Sequence, residues 1–144
     1  MQQEQFDELL AQYQASDELN VEVAIYESQF WTGLQQYDIA LERLQPIFES
    51  YPENEDLRYN YSLVAELAGL YEVAIEILEA LARKNPQDAN ILNALGYTLV
   101  NRTQNYERAE KLINRSLEIE PENALKYLHE FNNNNNNNNF ERNV

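Results

Sequence analysis

The sequence predicts an all-α fold built from a repeated pair of helices. Apolar residues recur at steps of three and four, as at Ile77, Leu78 and Leu81, which is the period of a helix. Only three glycines and four prolines occur in 144 residues, so few positions interrupt that period. An aromatic, a small residue, a large aliphatic and a proline also return in the same order, 34 and then 35 residues apart, which indicates an internal repeat. The three sets are Tyr37, Ala40, Leu44 and Pro52; Tyr71, Ala74, Leu78 and Pro86; and Tyr106, Ala109, Ile113 and Pro121.

Each repeat is predicted to contain two helices. Pro52, Pro86 and Pro121 follow helix-forming runs and precede acidic residues. Proline ends one helix, and carboxylates favour the positive end of the next. The small residue should let paired helices approach closely, while the aromatic and the large aliphatic fill the enclosed space. The predicted helices cover 3–14, then the pairs 18–33 with 36–50, 54–68 with 71–84 and 88–102 with 105–119, and a last helix begins near Glu122.

These helices divide the chain into three parts. An N-terminal helix occupies 1–17, a helical repeat region occupies 18–131, and an asparagine-rich tail occupies 132–144. The repeats run over 21–54, 55–88 and 89–123, and a partial helix follows over 124–131. Eight consecutive asparagines in the tail have poor helix propensity and nothing apolar to bury, so disorder is predicted there.

The charge of the chain restricts the class of partner. The formal net charge is -15, divided as -9 over residues 1–50, -5 over 51–100 and -1 over 101–144. Such a field repels phosphate backbones, so nucleic-acid binding is disfavoured and a neutral or basic protein or peptide is expected. A second interpretation stays open, in which the acidic residues only keep a helical surface soluble.

No catalytic or metal-binding pattern is found in the sequence. His129 is the single histidine, cysteine is absent, and no glycine-rich phosphate loop or calcium loop occurs. We therefore expect a protein that is not an enzyme and that needs no cofactor or metal. No apolar run approaches the roughly 20 residues that cross a bilayer, and the first residues lack the features of a signal peptide. A cytoplasmic location is the expectation, with envelope association as the alternative if the chain is a fragment.

The repeat resembles the tetratricopeptide repeat. The third copy carries Leu92, Leu95, Gly96 and Leu99 where that family has the tryptophan, leucine, glycine and tyrosine of its first helix. The two earlier copies are degenerate there and match in their second helices. The resemblance implies a right-handed α-solenoid of about three repeats, with an extra N-terminal helix and a partial C-terminal helix, whose first helices line a concave face.

The resemblance also implies a function, that of an adaptor or scaffold that binds a peptide or helix of another protein on the concave face. Chaperone-tail capture is not expected, because only Asn60 matches the five-residue clamp of the family members that perform it. Aromatic rings and amides instead favour an extended peptide, although the two tyrosines could equally pack between adjacent repeats. The expected contact residues are Tyr59, Asn60, Leu63, Asn90, Asn93 and Tyr97.

Two other functions stay open. Leu125, Leu128 and Phe131 leave an apolar surface at the end of the stack, which would let the chain form a homo-oligomer there. The chain could also be the regulatory arm of a larger enzyme, as repeat domains of this family often are.

Overall fold

The computed structural model describes residues 2–122, and every regular element in this range is an α-helix. The predicted all-α class is therefore confirmed for this part of the chain. The predicted partial helix over 124–131, the asparagine-rich tail and the apolar residues proposed for self-assembly lie outside the described residues. The six helices are α1 (Gln3–Gly33), α2 (Tyr37–Ser50), α3 (Glu55–Leu67), α4 (Tyr71–Lys84), α5 (Ala89–Arg102) and α6 (Tyr106–Ile119).

Helix α1 differs from the sequence prediction. A break was expected between 3–14 and 18–33, but α1 continues from Gln3 to Gly33 over 31 residues. Neither proline nor glycine occurs before its last residue, so nothing in this segment forces the backbone out of the helix. Asp17, in the segment of the expected break, accepts a hydrogen bond of 2.6 Å from the hydroxyl of Tyr51. The predicted N-terminal helix and the first helix of the first repeat are therefore one continuous helix.

The chain forms two compact units, Met1–Ala74 and Ile75–Val144. In the first unit, α2 packs against α1 and α3, and α1 also contacts α3. The core of this unit contains the fully buried Leu44 and Leu57. The rings of Phe48 and Tyr61 stack with their centroids 4.1 Å apart. The first three helices thus share one core.

In the second unit, α5 and α6 pack closely against each other. Gly96 permits this approach, because a Cβ atom at its position would lie 2.8 Å from Ile113 Cγ1 and 3.0 Å from the carbonyl oxygen of Ala109. The hydroxyl of Ser116 on α6 donates to the carbonyl oxygen of Ala89 on α5 at 2.9 Å. These contacts fix which side of α5 faces α6.

The small residue of each repeat is buried as predicted. Ala40, Ala74 and Ala109 are completely inaccessible to solvent, as expected where helices approach closely. The aromatic position behaves differently in the third repeat, where Tyr106 is 59 % exposed and fills no enclosed space. Tyr106 begins α6 after a loop of the same length as its counterparts, and the extra residue of this repeat lies in α5, which has 14 residues where α3 has 13.

Candidate interaction surface

The first helices of the second and third repeats, α3 and α5, each begin at a side-chain cap. Asn54 accepts a hydrogen bond from the backbone N–H of Leu57 at 2.9 Å, which fixes the start of α3. Asp88 accepts from the backbone N–H groups of Asn90 and Ile91 at 3.0 and 3.2 Å, which fixes the start of α5. Such caps satisfy donors that the helix itself leaves unpaired. The caps therefore fix where α3 and α5 begin.

One side of α3 carries Tyr59, Asn60 and Leu63, three of the residues expected to contact a partner. Their spacing with Asp56, one turn earlier, places all four on the same side of the helix. Tyr59, Asn60 and Leu63 are half-buried and Asp56 is exposed. The amide nitrogen of Asn60 donates to the carbonyl oxygen of Asp56 at 2.8 Å, so this side chain also has a role inside its own helix.

A cleft of about 520 Å³ opens between α1 and the start of α3, within the first unit. Its floor contains the buried Val21 and the half-buried Ile25. Tyr26, which is 63 % exposed, lies at its edge. The residues that line the cleft are Glu18, Val21, Glu22, Ile25, Tyr26 and Gln29 from α1, with Asn54 and Asp56 from the start of α3.

The cleft is acidic. Glu18, Glu22 and Asp56 place three exposed carboxylates around it, and no lysine or arginine is among the residues that line it. Three negative charges around a partly apolar floor favour cationic groups and oppose anionic ones. The long alkyl chain of a lysine or arginine can pack on an apolar floor while its charged end meets a carboxylate. This cleft can therefore hold a basic segment by two kinds of contact at once.

The other expected contact residues lie on α5, in the second unit. Asn90, Asn93 and Tyr97 follow one another at steps of three and four and share one side of the helix. Asn90 is exposed, Tyr97 is half-buried, and Asn93 is only 5 % exposed. The amide nitrogen of Asn93 is buried and has no hydrogen-bond partner within residues 2–122. A buried donor without an acceptor costs about 1 to 3 kcal/mol, a cost that an acceptor reaching this nitrogen would offset.

The structure thus arranges the six expected residues in two groups of three, one on α3 and one on α5. Sequence reasoning missed the residues of α1, which supply most of the cleft. The signal was present, because Glu18, Glu22, Ile25 and Gln29 are spaced by four, three and four residues, as on one side of a helix. The spacing was not assigned to a site because the first helix of this repeat departs from the family pattern.

The described range has neither a metal site nor a membrane span. No group of three or more histidine, aspartate or glutamate side chains is arranged there to hold a metal ion. Between residues 2 and 122, no helix is long and apolar enough to cross a membrane.

Comparison with known proteins identifies the repeat. A family model described as the tetratricopeptide repeat matches residues 33–89 and 68–124. The chain is 29 % identical over 102 residues to the TPR repeat-containing protein PA4667 of Pseudomonas aeruginosa. That alignment covers 71 % of this chain and 17 % of the relative, so the chain spans about a sixth of the relative's length.

Solved structures agree with this assignment. The crystal structure of YrrB, a TPR protein with an unusual peptide-binding site, superposes with a TM-score of 0.63 at 20 % identity, covering 76 % of this chain and 57 % of YrrB. The first TPR of Spaghetti (RPAP3), bound to the HSP90 peptide SRMEEVD, gives 0.63 at 21 % identity, with 78 % and 90 % covered. The O-GlcNAc transferase of Thermobaculum terrenum gives 0.65 at 19 % identity, with 73 % and 20 % covered. These likenesses concern the fold, and they confirm the predicted fold class. The family model matches well more than half of the sequence, so the chain belongs to the tetratricopeptide repeat family.

Proposed function

We propose that this chain is a non-catalytic interaction module that binds a basic, extended segment of a partner protein in the cleft between α1 and α3. The observation that carries the proposal is the composition of the cleft, with three carboxylates, no cationic side chain and an apolar floor. Lysine or arginine residues of the segment would pair with Glu18, Glu22 and Asp56. Apolar residues between them would pack on Val21 and Ile25.

The side of α3 that begins at Asp56 extends this surface by two further turns. Tyr59 and Leu63 offer half-buried apolar area, on which side chains of the segment would pack. On α5, the amide nitrogen of Asn93 is buried, and it would donate to a backbone carbonyl oxygen of a bound chain after the side chain turns outward. We propose both groups as contact residues, the α3 group beside the cleft and the α5 group as a separate contact in the second unit.

Two of the similar structures support a peptide as the partner class. The name given to YrrB includes a peptide-binding site, and the Spaghetti domain is bound to an HSP90 peptide. The sequence of that HSP90 peptide, SRMEEVD, ends with three acidic residues among four. An acidic end of this kind would be repelled by the carboxylates of the present cleft. We therefore propose recognition of the opposite charge.

The experiment uses two fluorescein-labelled peptides of about ten residues, a length that covers roughly 30 Å when extended. One peptide alternates lysine with leucine and serine, and the other carries glutamate in place of each lysine. Fluorescence anisotropy should show binding of the lysine peptide only. Its affinity should fall as the salt concentration rises, because screening weakens attraction between exposed charges.

A matched pair of variants assigns the binding to the cleft. Glu18→Gln with Glu22→Gln removes two carboxylates that line it, and should weaken the lysine peptide by about tenfold, which corresponds to about 1.4 kcal/mol. Glu72→Gln with Glu76→Gln changes the net charge equally, at two exposed positions that are also four residues apart on α4, and should leave the affinity unchanged. Equal losses in both variants would mean that only the total charge attracts the peptide, and the assigned site would be wrong.

The aromatic contacts are tested separately. Tyr59→Ala should weaken the lysine peptide without lowering the helix content measured by circular dichroism, whereas Tyr97→Ala, in the separate contact of the second unit, should leave the affinity of that peptide unchanged. If Tyr59 only packs within the fold, its variant would instead lose stability and keep the affinity. A role as the regulatory arm of a larger enzyme stays a prediction for a chain that spans only part of its relative's length.

A further inference from the structure

Helix α1 carries a second surface, distinct from the cleft, on its outer side. Apart from Leu9 near its start, α1 and the position that follows it carry five large apolar side chains that are more than half exposed. We name this surface the outer stripe. Its members are Leu19, Val23, Tyr26, Phe30 and Leu34, with exposures of 59, 54, 63, 60 and 54 %.

The spacing of the outer stripe is that of a helix-packing seam. Successive members are four, three, four and four residues apart, which aligns them along one side of a helix. The residues of α1 that are buried in the first unit, Val21, Ala24 and Ser28, follow the same period about half a turn away. The helix therefore presents one apolar side to its own core and another to solvent. Isolated exposed apolar residues are ordinary, but a contiguous row marks an interaction site.

The edges of the outer stripe are acidic. Glu22 flanks it on the side of the cleft, and Glu27 flanks it on the other side. Arg43 pairs with Glu27 at 3.3 Å and lies 5.9 Å from the ring centre of Trp31, so this cation is engaged within the chain. Pairing two copies along this stripe would bring glutamate edges together, and the first 50 residues already carry a net charge of -9. Like charges opposite each other disfavour such a pair.

We infer that the outer stripe docks an amphipathic helix of a partner, with an apolar side and lysine or arginine along its edges. The stripe covers about 15 residues, or roughly 22 Å at 1.5 Å per residue, which corresponds to about four turns of a docked helix. Apolar residues of that helix would lie between those of the outer stripe. Its cationic edge residues would meet Glu22 on one side and compete with Arg43 for Glu27 on the other, the arrangement by which such helix pairs select their partners. This inference does not depend on the peptide cleft, since Tyr26 is the one member of the outer stripe that also lines the cleft, and Glu22 lies on the edge between the two surfaces.

The test uses three synthetic peptides of about 18 residues, long enough to cover the stripe as helices. The first places leucine at steps of three and four with lysine on both edges. The second carries glutamate in place of lysine, and the third has the composition of the first with the leucine spacing scrambled. Anisotropy should show binding of the first peptide alone, and circular dichroism should show that it gains helix on binding. Failure of the first peptide to bind, or equal binding of the second, would overturn the inference.

Two variants with identical chemistry locate the binding. Leu19→Gln with Val23→Gln changes the outer stripe, and should weaken the first peptide by about tenfold or more. Leu70→Gln with Val73→Gln changes another exposed leucine and valine, 43 and 38 % exposed, and should leave its affinity unchanged. The extended lysine peptide of the cleft should bind both variants equally, which separates this test from that of the cleft.

Self-association is the competing outcome. Light-scattering mass over a dilution series should stay at the monomer value for the unchanged protein. A mass that doubles, and that returns to the monomer in the variant with Leu19 and Val23 replaced, would assign the outer stripe to a second copy and overturn the inference.

Discussion

Gly96 lies where α5 and α6 approach most closely, and replacing it with alanine tests how tightly that pair is packed. A Cβ atom there would lie 2.8 Å from Ile113 Cγ1, 3.0 Å from the carbonyl oxygen of Ala109 and 3.2 Å from Leu112 Cβ. Separations below 3.4 Å are closer than carbon atoms pack in protein interiors. One of the three atoms is the backbone oxygen of Ala109, so a change of side-chain rotamer alone cannot relieve the overlap.

Two effects of opposite sign determine the size of the change. Alanine is favoured over glycine inside a helix by about 1 kcal/mol. Forcing an extra carbon into a packed interface costs about 1 to 3 kcal/mol. The second effect is expected to prevail, since α6 must shift to admit the new atom. Gly96→Ala should therefore lower the free energy of unfolding by about 1 kcal/mol and the melting temperature by about 2 to 4 °C.

Gly33 supplies the matched control, because no atom within 4 Å would meet a Cβ placed there. Gly33→Ala should raise the stability by a few tenths of a kcal/mol up to about 1. Urea unfolding followed by circular dichroism reports on all the helices, whereas fluorescence of Trp31, the only tryptophan, reports on the first unit. Equal stabilisation by both substitutions would refute the close approach of α5 and α6.

Three further changes test local contacts elsewhere. Hydrogen bonding from Arg108 lowers the pKa of Glu79, so the pair stabilises the fold above about pH 4.5 and loses its effect as pH falls through the lowered pKa. Glu79→Gln should cost at most about 1 kcal/mol at neutral pH, because the pair is partly exposed. The variant should also show a weaker dependence of urea unfolding on acid pH. Burial raises the pKa of Tyr61, whose hydroxyl donates to Gln45. Tyr61→Phe should cost about 1 kcal/mol at pH 7. Thermal melts of the unchanged protein should show a loss of stability above about pH 10, and the variant should lack it. Pro46 is exposed inside α2 and has no N–H to donate. Proline costs about 3 kcal/mol inside a helix, and part of this cost is offset because proline also restricts the unfolded chain. Pro46→Ala should therefore stabilise the chain by about 1 to 2 kcal/mol in urea unfolding.

The sequence was sufficient for the fold because its repeat constrains the same place in each copy. Ser28, Ser62 and Gly96 are 34 residues apart, and each is the small residue at the matching position of α1, α3 or α5. The two serines are buried, and their hydroxyls donate to the carbonyl oxygens three residues earlier, at 2.7 and 2.6 Å. A buried serine is acceptable there because it satisfies its hydroxyl within its own helix. The repeat spacing therefore predicted the helices from α2 onward, whereas the break that was expected before residue 18 was wrong.

The candidate surfaces were harder to predict because they depend on the sides of α1. Its buried side, its cleft side and the outer stripe have the same period, and Leu19 and Val21 differ little in character although one is exposed and the other buried. Sequence periodicity gives the spacing of a side but not its neighbour. The contacts of α1 with α2 and α3 were needed to decide which apolar row lies in the core. The expected residues of α3 and α5 needed no such decision, since the family resemblance named their side of the helix.

The distribution of charge separates the two explanations of the acidic surface. Acidic residues are spread almost evenly, with ten over residues 1–50, eight over 51–100 and seven over 101–144. Lysine and arginine are not, with one, three and six over the same ranges, so the net charge changes from -9 to -1. Glu18 and Glu22, beside the cleft and the outer stripe, therefore lie where compensating cations are fewest. Solubility does not require acidic side chains next to exposed Tyr26 and Phe30, whereas attraction of a basic partner does. The charge agrees with the proposed binding role of α1, and the loss of affinity with salt should be larger for peptides bound there than for ligands of α5.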